Sequence, residues 1–114
     1  MPREASSLTF NTDFRRAYKR GKCIRFPEVV IYVNRNRTGE VRYGITSSKK
    51  IGNAVTRNRA RRVIRAAFFS SDIPVKRGFD LVFVARSRTA LCKSTELIPR
   101  LQKALVPYSA ETIQ

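Results

Sequence analysis

The spacing of hydrophobic residues changes along the chain and predicts alternating helices and strands. Residues 11–20 predict a short helix, because Asn11 or Thr12 can cap its start and Gly21 can end it. Aromatic side chains recur four residues apart on one face of this helix, at Phe10, Phe14 and Tyr18. We therefore expect a ridge of rings along one side of the helix.

Beyond an irregular passage through Pro27, strict alternation predicts two strands. In EVVIYVN one face carries Val29, Ile31 and Val33, and the other carries Val30 and Tyr32. In VRYGIT one face carries Val41, Tyr43 and Ile45, and the other carries Arg42, Gly44 and Thr46. The turn NRTGE, residues 36–40, lies between the two segments, so an antiparallel hairpin is predicted.

The C-terminal third predicts one strand and one helix. The segment FDLVFVA, residues 79–85, is apolar at nearly every position, as expected of a strand that is covered on both faces. A last helix is predicted between about Ser94 and Val106, with Leu97, Leu101 and Leu105 in one row. If Ser94 is the cap, Pro99 lies past the first turn and kinks the helix; alternatively, the regular part starts near Pro99.

A longer helix is predicted from about Thr56 to Phe69, with two faces of different chemistry. Its apolar arc contains Ala60, Val63, Ile64, Ala67 and Phe68. Its polar arc contains Asn58, Arg59, Arg61, Arg62 and Arg65, with Arg57 at the border. We expect the apolar arc to pack on the sheet and the basic arc to face outward.

The charge of the chain indicates what this basic arc binds. The chain has 24 Lys and Arg against 8 Asp and Glu, a formal net charge of +16, while 42% hydrophobic residues suffice for a core. No acid lies between Val41 and Ser71, and Arg57, Arg61 and Arg65 are like charges one turn apart. Each such pair costs about 0.2–0.5 kcal/mol in a helix, so a polyanion-binding face is favoured over a merely solvated one.

The prevalence of arginine over lysine in this arc indicates which class of polyanion it binds. Arginine suits bidentate contacts with phosphate and stacking on bases, which points to structured or single-stranded RNA. Charge alone does not exclude DNA, but the chain lacks a second short helix ahead of the basic one, as a helix-turn-helix needs. In the preceding loop, Gly52 and Asn53 tolerate left-handed backbone and can bring N–H groups to a phosphate, although a plain turn explains them equally well.

Length and the remaining composition predict one cytoplasmic domain over residues 1–114, with loose ends at 1–8 and 107–114. The start of the chain has no apolar segment, and no run approaches the roughly 18 apolar residues of a membrane span. Cys23 and Cys92 are far apart and the chain has no histidine, so free buried thiols are predicted rather than a metal site.

The segment SKKIGNAVTRNRARRVIR, Ser48 to Arg65, resembles the signature of the bacterial ribonuclease P protein subunit, SKK-x-GNAV-x-RNR-x-x-R-x-x-R. The likeness extends outward. NTDFRRAYKRG is similar to the first helix of the family, VVIYV to its first long strand, and LVFVAR to its last strand with a trailing arginine.

This resemblance implies an α+β fold, a two-layer α/β sandwich in the order helix, three strands, helix, strand, helix. The central sheet would be mainly antiparallel, with a left-handed β-α-β crossover, although general chirality favours the right hand. The resemblance also implies an endoribonuclease holoenzyme in which the RNA subunit, with Mg²⁺ bound mainly by that RNA, removes the 5′ leader of precursor tRNA. The chain itself lacks histidine and a nucleophile flanked by a base, so no catalytic residue or metal ligand is predicted in it.

The resemblance assigns two RNA-binding sites. The basic helix and its preceding loop would contact catalytic RNA and substrate through Lys49, Lys50, Asn53, Arg57, Asn58, Arg59, Arg61, Arg62 and Arg65. The cleft for the precursor leader would contain Phe14, Tyr18, Val30, Tyr32, Thr46 and Arg86. Aromatic side chains suit stacking on single-stranded bases, whereas the alternative for Phe14 and Tyr18 is that they pin the first helix to the sheet.

A second function remains open at this stage, a non-enzymatic RNA-binding module such as a small ribosomal protein. Size, charge and the lack of catalytic groups suit both functions, and only the motif separates them. A membrane-surface domain would need bulky apolar residues exposed beside the arginines, and those positions are assigned to the sheet.

Overall fold

The computed structural model describes residues 5–8 and 11–109. Its strands are β1 (Ser6–Ser7), β2 (Lys22–Arg25), β3 (Val29–Arg35), β4 (Val41–Thr46) and β5 (Phe79–Ala85). Its helices are α1 (Asn11–Arg20), α2 (Ala54–Ser71) and α3 (Ser94–Leu105). The α+β class is confirmed, and from α1 onward the elements follow the predicted order. Phe10, the first ring of the predicted aromatic ridge, lies outside the described residues.

The strands form one mixed sheet in the order β1-β4-β5-β3-β2. β3 pairs antiparallel with β2 and β5, whereas β4 pairs parallel with β1 and β5. The predicted hairpin of β3 with β4 is therefore wrong, because β5 lies between them. Gly78, the residue before β5, lies between the two ends of the turn that joins β3 to β4. Asn36 N donates to Gly78 O at 2.8 Å, and Gly78 N donates to Glu40 O at 3.0 Å.

Helices lie on both faces of this sheet. The main core joins α2 and α3 to the face that carries Ile31 and Phe83, both fully buried. The other face is partly covered by α1, whose Ala17 packs in a smaller cluster with Leu8 and Val82. The predicted two layers are thus the sheet and the pair α2 and α3, and α1 adds a partial third. The alternation of β3 and β4 between the two faces is as predicted.

Helix α2 begins earlier than predicted, at Ala54 instead of about Thr56. Asn53 is its N-cap, in extended backbone, and the Asn53 side chain accepts a hydrogen bond from Thr56 N at 2.9 Å. Asn53 therefore does not adopt the left-handed backbone that asparagine tolerates, since a capping side chain requires β-region backbone. Gly52 does have a positive φ of 142°. α2 connects the parallel neighbours β4 and β5, and the handedness of this crossover stays a prediction.

Helix α3 contains Pro99 in its interior, so the regular part starts before that proline. Ser94 is the first helical residue and not the cap. Lys93 precedes it, and Lys93 N donates to the Glu96 carboxylate at 2.7 Å, which satisfies one of the free N–H groups at the helix start.

Parts of the chain that were expected to be irregular or loose are ordered. Residues 22–25 form an edge strand, although charges at both ends hide its pattern. In the N-terminal segment expected to be loose, β1 pairs with β4 and Leu8 is buried. Cys23 and Cys92 are free thiols, half-buried instead of fully buried as predicted. No helix within residues 5–8 and 11–109 has the length and apolarity needed to cross a bilayer.

Candidate nucleic-acid interface

The packing of α2 turns its arginines outward. Ala60, Ile64, Ala67 and Phe68 are all fully buried against the sheet and α3. The opposite side of the helix exposes Arg62 and Arg65, which make no hydrogen bond or ion pair with the described part of the chain. Two like charges without partners favour the separated, hydrated state, so an approaching anion meets little competition.

Other arginines of α2 are held in position by neutral groups. Arg61 donates to Ser47 Oγ at 2.8 Å and also contacts the Asn58 side chain. Arg59 Nε donates to the Ala90 carbonyl at 2.9 Å, and Arg57 donates to the Gly52 carbonyl at 3.3 Å. These bonds leave the positive charges uncompensated. A guanidinium has five N–H donors, so each side chain keeps donors for a phosphate. The sequence holds no signal for the roles of Ser47 and Ala90.

The loop before α2 adds exposed cations. Lys49 and Lys50 lie in a short 3₁₀ turn, residues 49–51, and both are exposed. Asn53, by contrast, uses its side-chain oxygen for the cap described above. Its amide NH₂ group is the part that remains for RNA.

On the opposite face of the sheet, α1 and the strands form a partly open aromatic cleft, which we define as Phe14, Tyr18, Val30, Tyr32, Thr46 and Val84. The rings of Tyr18 and Tyr32 meet edge to face, with centroids 5.0 Å apart and planes at 76°. The hydroxyls of Tyr18 and Thr46 are hydrogen-bonded at 3.1 Å. Tyr18 is 41% exposed, so its ring is available to a base. Val84 was missed, although alternation along LVFVAR places it on this face.

Phe14 has a different environment from Tyr18. A Cβ on Gly44 would lie 2.4 Å from Phe14 Cε1, so the ring rests directly on the glycine backbone. Phe14 also packs with Leu8, Ala17 and Val82. This contact anchors α1, as the alternative for Phe14 proposed, and it places the ring at the floor of the cleft.

Tyr32 faces Cys23 across the β2–β3 pairing. The Cys23 thiol raises the pKa of the Tyr32 hydroxyl above its ordinary value of 10.0, and burial adds to the effect. Tyr32 is therefore neutral at physiological pH. A neutral hydroxyl donates a hydrogen bond and does not repel a phosphate, which suits a ring beside a nucleotide chain.

The two predicted RNA-binding sites meet at one end of the sheet. Thr46 and Val30 both flank Val84 in the register, and Arg86 follows β5 immediately, with its guanidinium donating to the Phe26 carbonyl at 3.3 Å. Since α2 starts shortly after β4 ends, and Arg61 bonds to Ser47, the basic helix begins beside the same end. The aromatic cleft and the basic helix are therefore connected at this end through the neighbouring residues Thr46 and Ser47.

On the α1 side of the sheet, the carboxylates of Asp13 and Asp80 are already paired with an arginine. Arg42 binds Asp80 with two hydrogen bonds of 2.8 Å and contacts Asp13 at 3.4 Å. Within the described ranges no three His, Cys, Asp or Glu side chains come together as metal ligands. A divalent cation at Asp80 would have to displace a guanidinium, so these residues fit a dedicated Mg²⁺ site poorly.

Comparison with known proteins decides the family. The family model for ribonuclease P matches residues 1–108. The chain belongs to the ribonuclease P protein family. The ribonuclease P protein component of Clostridioides difficile (strain 630) is 46% identical over 80 residues, 69% of this chain and 70% of the relative. That of Thermoanaerobacter sp. (strain X514) is 40% identical over 88 residues, 77% of this chain and 76% of the relative.

Solved structures of ribonuclease P proteins have the same fold. The protein from Staphylococcus aureus superimposes with a TM-score of 0.73 at 31% identity, covering 87% of this chain and 91% of that one. The protein from Thermotoga maritima gives a TM-score of 0.73 at 25% identity, covering 88% and 94%. The family assigned from the motif is confirmed, and none of these matches favours a ribosomal protein. The chain is a component of a tRNA-processing ribonucleoprotein and has an RNA partner.

Proposed function

We propose that this chain binds the catalytic RNA of ribonuclease P through the basic face of α2 and holds the 5′ leader of precursor tRNA in the aromatic cleft. The observation that carries the proposal is the unpaired state of Arg62 and Arg65 on an exposed helix face. Binding to RNA would release the counterions that accompany these charges, which favours association. The proposed sites are the residue sets implied by the family resemblance, with Val84 added to the aromatic cleft and Arg86 at its end.

The aromatic cleft suits the leader because its rings can bind RNA strands of any base sequence. Tyr18 and Tyr32 offer rings set at a steep angle, and bases of any identity can stack on such surfaces. Thr46 and Arg86 add a hydroxyl and a cation at the end of the sheet where the cleft meets α2. A strand that varies among tRNA precursors would be held by stacking and charge.

In this proposal the RNA subunit carries the chemistry. Mg²⁺ bound mainly by the RNA would activate the water that cleaves the phosphodiester, and this chain would position both RNA molecules. Asp13 on α1 and Asp80 on β5 are both paired with Arg42, so the proposal gives neither of them the role of a general base. The proposed site of action is the cytoplasm.

Reconstitution tests the proposal. The purified chain is added to a bacterial ribonuclease P RNA at a low Mg²⁺ concentration that does not support cleavage by the RNA alone, and leader removal is measured. We expect the wild-type chain to restore cleavage and Arg62→Ala/Arg65→Ala to restore much less. Lys93→Ala/Lys103→Ala removes the same charge from two exposed positions, one just before α3 and one on it, and serves as the matched control. Absence of stimulation by the folded wild-type chain would refute the proposal.

A further inference from the structure

Helix α1 divides its face of the sheet into two halves of opposite character. Phe14 and Tyr18 point to the aromatic cleft, whereas Asp13, Arg16 and Arg20, spaced by three and four residues, line the other side of the helix. That side borders a cavity of about 720 Å³ at the far end of the sheet from Thr46 and Arg86. Its lining is Asp13, Arg16, Arg20, Asn34, Arg35, Asn36, Arg37, Thr38 and Arg42.

The acids in and below this cavity are already neutralised. Arg42 binds the buried Asp80 in a bidentate pair and also contacts Asp13, and Arg16 pairs with Asp13 at 3.3 Å. The pair with Asp80 raises the pKa of Arg42, which keeps the floor of the cavity charged and fixed. Five arginines line the cavity, against Asp13 in the lining and Asp80 below it, so the net charge of lining and floor is positive.

Two of these arginines have no acidic partner in residues 5–8 and 11–109. Arg20 and Arg37 make no hydrogen bond or ion pair there. Both are exposed. Arg35 lies over the Phe79 ring at 5.8 Å, so its guanidinium is on the face of the sheet that carries α2 and α3. The charges of Arg20 and Arg37 are thus available to a ligand without breaking any existing pair.

The turn that carries Arg37 is held rigid by its own hydrogen bonds. The Asn36 amide donates to Asp80 at 2.7 Å and to the Glu40 carbonyl at 3.1 Å. The Asn36 oxygen accepts from both the backbone and the hydroxyl of Thr38, each at 3.1 Å. A preorganised turn loses little conformational freedom when it binds, which favours a binding role over a solvated loop.

The basic lining continues beyond the cavity along α1. A smaller cavity of about 180 Å³ shares Arg16 and Arg20 with the first one, and its lining adds Thr12, Arg15 and Lys19. The cations therefore form a strip instead of converging on one point. A strip matches an anion with several charges in a row, whereas sites for small molecules are enclosed and mostly apolar.

From this arrangement we infer that the strip, defined as Arg16, Arg20, Arg37 and Arg42 with the flanking Arg15 and Lys19, is a further binding site for the ribose-phosphate backbone of RNA. It lies outside both the basic face of α2 and the aromatic cleft. The inference rests on the proposed function, since it requires that the chain work on RNA. The strand that occupies the strip is either part of the RNA subunit or a far segment of the substrate.

The salt dependence of binding tests the inference, because each phosphate contact contributes about 0.7–0.9 to the slope of log K against log salt. Arg20→Gln/Arg37→Gln removes two charges that have no described partner. Lys93→Gln/Lys103→Gln removes two exposed charges at and just before α3, on the other side of the sheet, and is the matched control. We expect the first variant to lower the magnitude of the slope by about 1.5 and the control to leave it unchanged.

Three RNA probes identify the source of the backbone: a bacterial ribonuclease P RNA, a precursor tRNA and the matching mature tRNA. A change of slope with the ribonuclease P RNA alone assigns the strip to the subunit interface. A change with precursor but not mature tRNA assigns it to the leader. Equal changes with every probe indicate a backbone contact open to any strand, which also supports the inference.

Two further measurements separate the possible failures. Arg20→Lys/Arg37→Lys keeps the charge and should retain the wild-type slope, which excludes a general effect of substitution at these positions. Melting temperatures of all variants verify folding. If wild type binds RNA but Arg20→Gln/Arg37→Gln and the control have the same slope on every probe, the inference is wrong while the proposed function stands. If wild type binds none of the probes, the proposed function fails as well.

Discussion

Arg42 and Asp80, 38 residues apart in the sequence, form a bidentate ion pair with both bonds at 2.8 Å, and the Asp80 side chain is only 1% exposed. Asp80 interrupts an otherwise apolar strand at the centre of the sheet. A charge in such a position is tolerated only with a partner, so Arg42 determines whether β5 can occupy the middle of the sheet.

Replacement of Asp80 by Asn tests this pair. We expect Asp80→Asn to lower the free energy of unfolding by about 3 kcal/mol, because it leaves a partly buried guanidinium without its main partner. Urea unfolding measures the change. Glu28→Gln is the control, since Glu28 pairs with an arginine that is 41% exposed. Such pairs contribute about 0–1 kcal/mol. Equal small losses in the two variants would show that Asp80 does not depend on Arg42.

The close approach of Phe14 to Gly44 predicts a second stability effect. Gly44→Ala places a methyl group 2.4 Å from the Phe14 ring, so α1 must shift away from the sheet. Overpacking of this kind costs about 1–3 kcal/mol, measured by thermal or urea unfolding. A shifted α1 also separates Tyr18 from Tyr32, and we expect weaker discrimination between precursor and mature tRNA. Full retention of both stability and discrimination would contradict the anchoring role of Phe14.

The aromatic cleft predicts a substrate-specific loss in Tyr32→Ala. Stacking on an aromatic side chain contributes about 1–3 kcal/mol per base, so we expect precursor tRNA to bind about 5-fold to 150-fold more weakly. Mature tRNA, which has no leader, should be affected little. Tyr32→Phe keeps the ring and should bind both like wild type. If Tyr32→Ala weakens the binding of both tRNAs equally, the leader does not bind in this cleft.

The basic face of α2 predicts a change in salt dependence. If about six phosphates are neutralised, log K for RNA should fall with log salt at a slope near −4 to −5. Arg62→Ala or Arg65→Ala should each reduce its magnitude by about 0.7–0.9, measured by filter binding across a salt series. Lys103→Ala is the control, because Lys103 is an exposed cation on α3. A slope that none of these substitutions alters would place the RNA elsewhere.

The net charge of +16 predicts stabilisation by anions. Sulfate or phosphate at constant ionic strength should raise the melting temperature relative to chloride, because bound anions relieve repulsion in the folded state. Differential scanning fluorimetry measures the shift. Arg62→Ala/Arg65→Ala should respond less than wild type. An equal melting temperature in chloride and sulfate would indicate that the folded chain has no specific anion sites.

The features that sequence patterns predicted well are those set by neighbouring residues. Alternation assigned Val30 and Tyr32 to one face of β3 and Val29 to the other, because side chains on a strand alternate regardless of its partners. The buried arc of α2 follows in the same way from helical spacing. The family motif supplied the order of elements and the two sets of candidate residues.

The features that were missed depend on distant parts of the chain. β3 and β4 were paired with each other because they are adjacent in sequence, yet Gly78 enters between the ends of their turn. β2 has few apolar residues, so hydrophobic spacing did not locate it, and only the order of elements implied by the family resemblance included a strand before β3. The pocket beside α1 requires the turn at Arg37 and the end of α1 to meet, which no local pattern records.

The position of β5 has a consequence for synthesis on the ribosome. β5 joins β4 to β3, but it follows both of them and the whole of α2 in the sequence. The nascent chain therefore cannot complete its sheet until residues 79–85 have left the exit tunnel, and pairings between distant segments form slowly. Until then the arginines of α2 emerge on an unfinished domain, surrounded by ribosomal RNA.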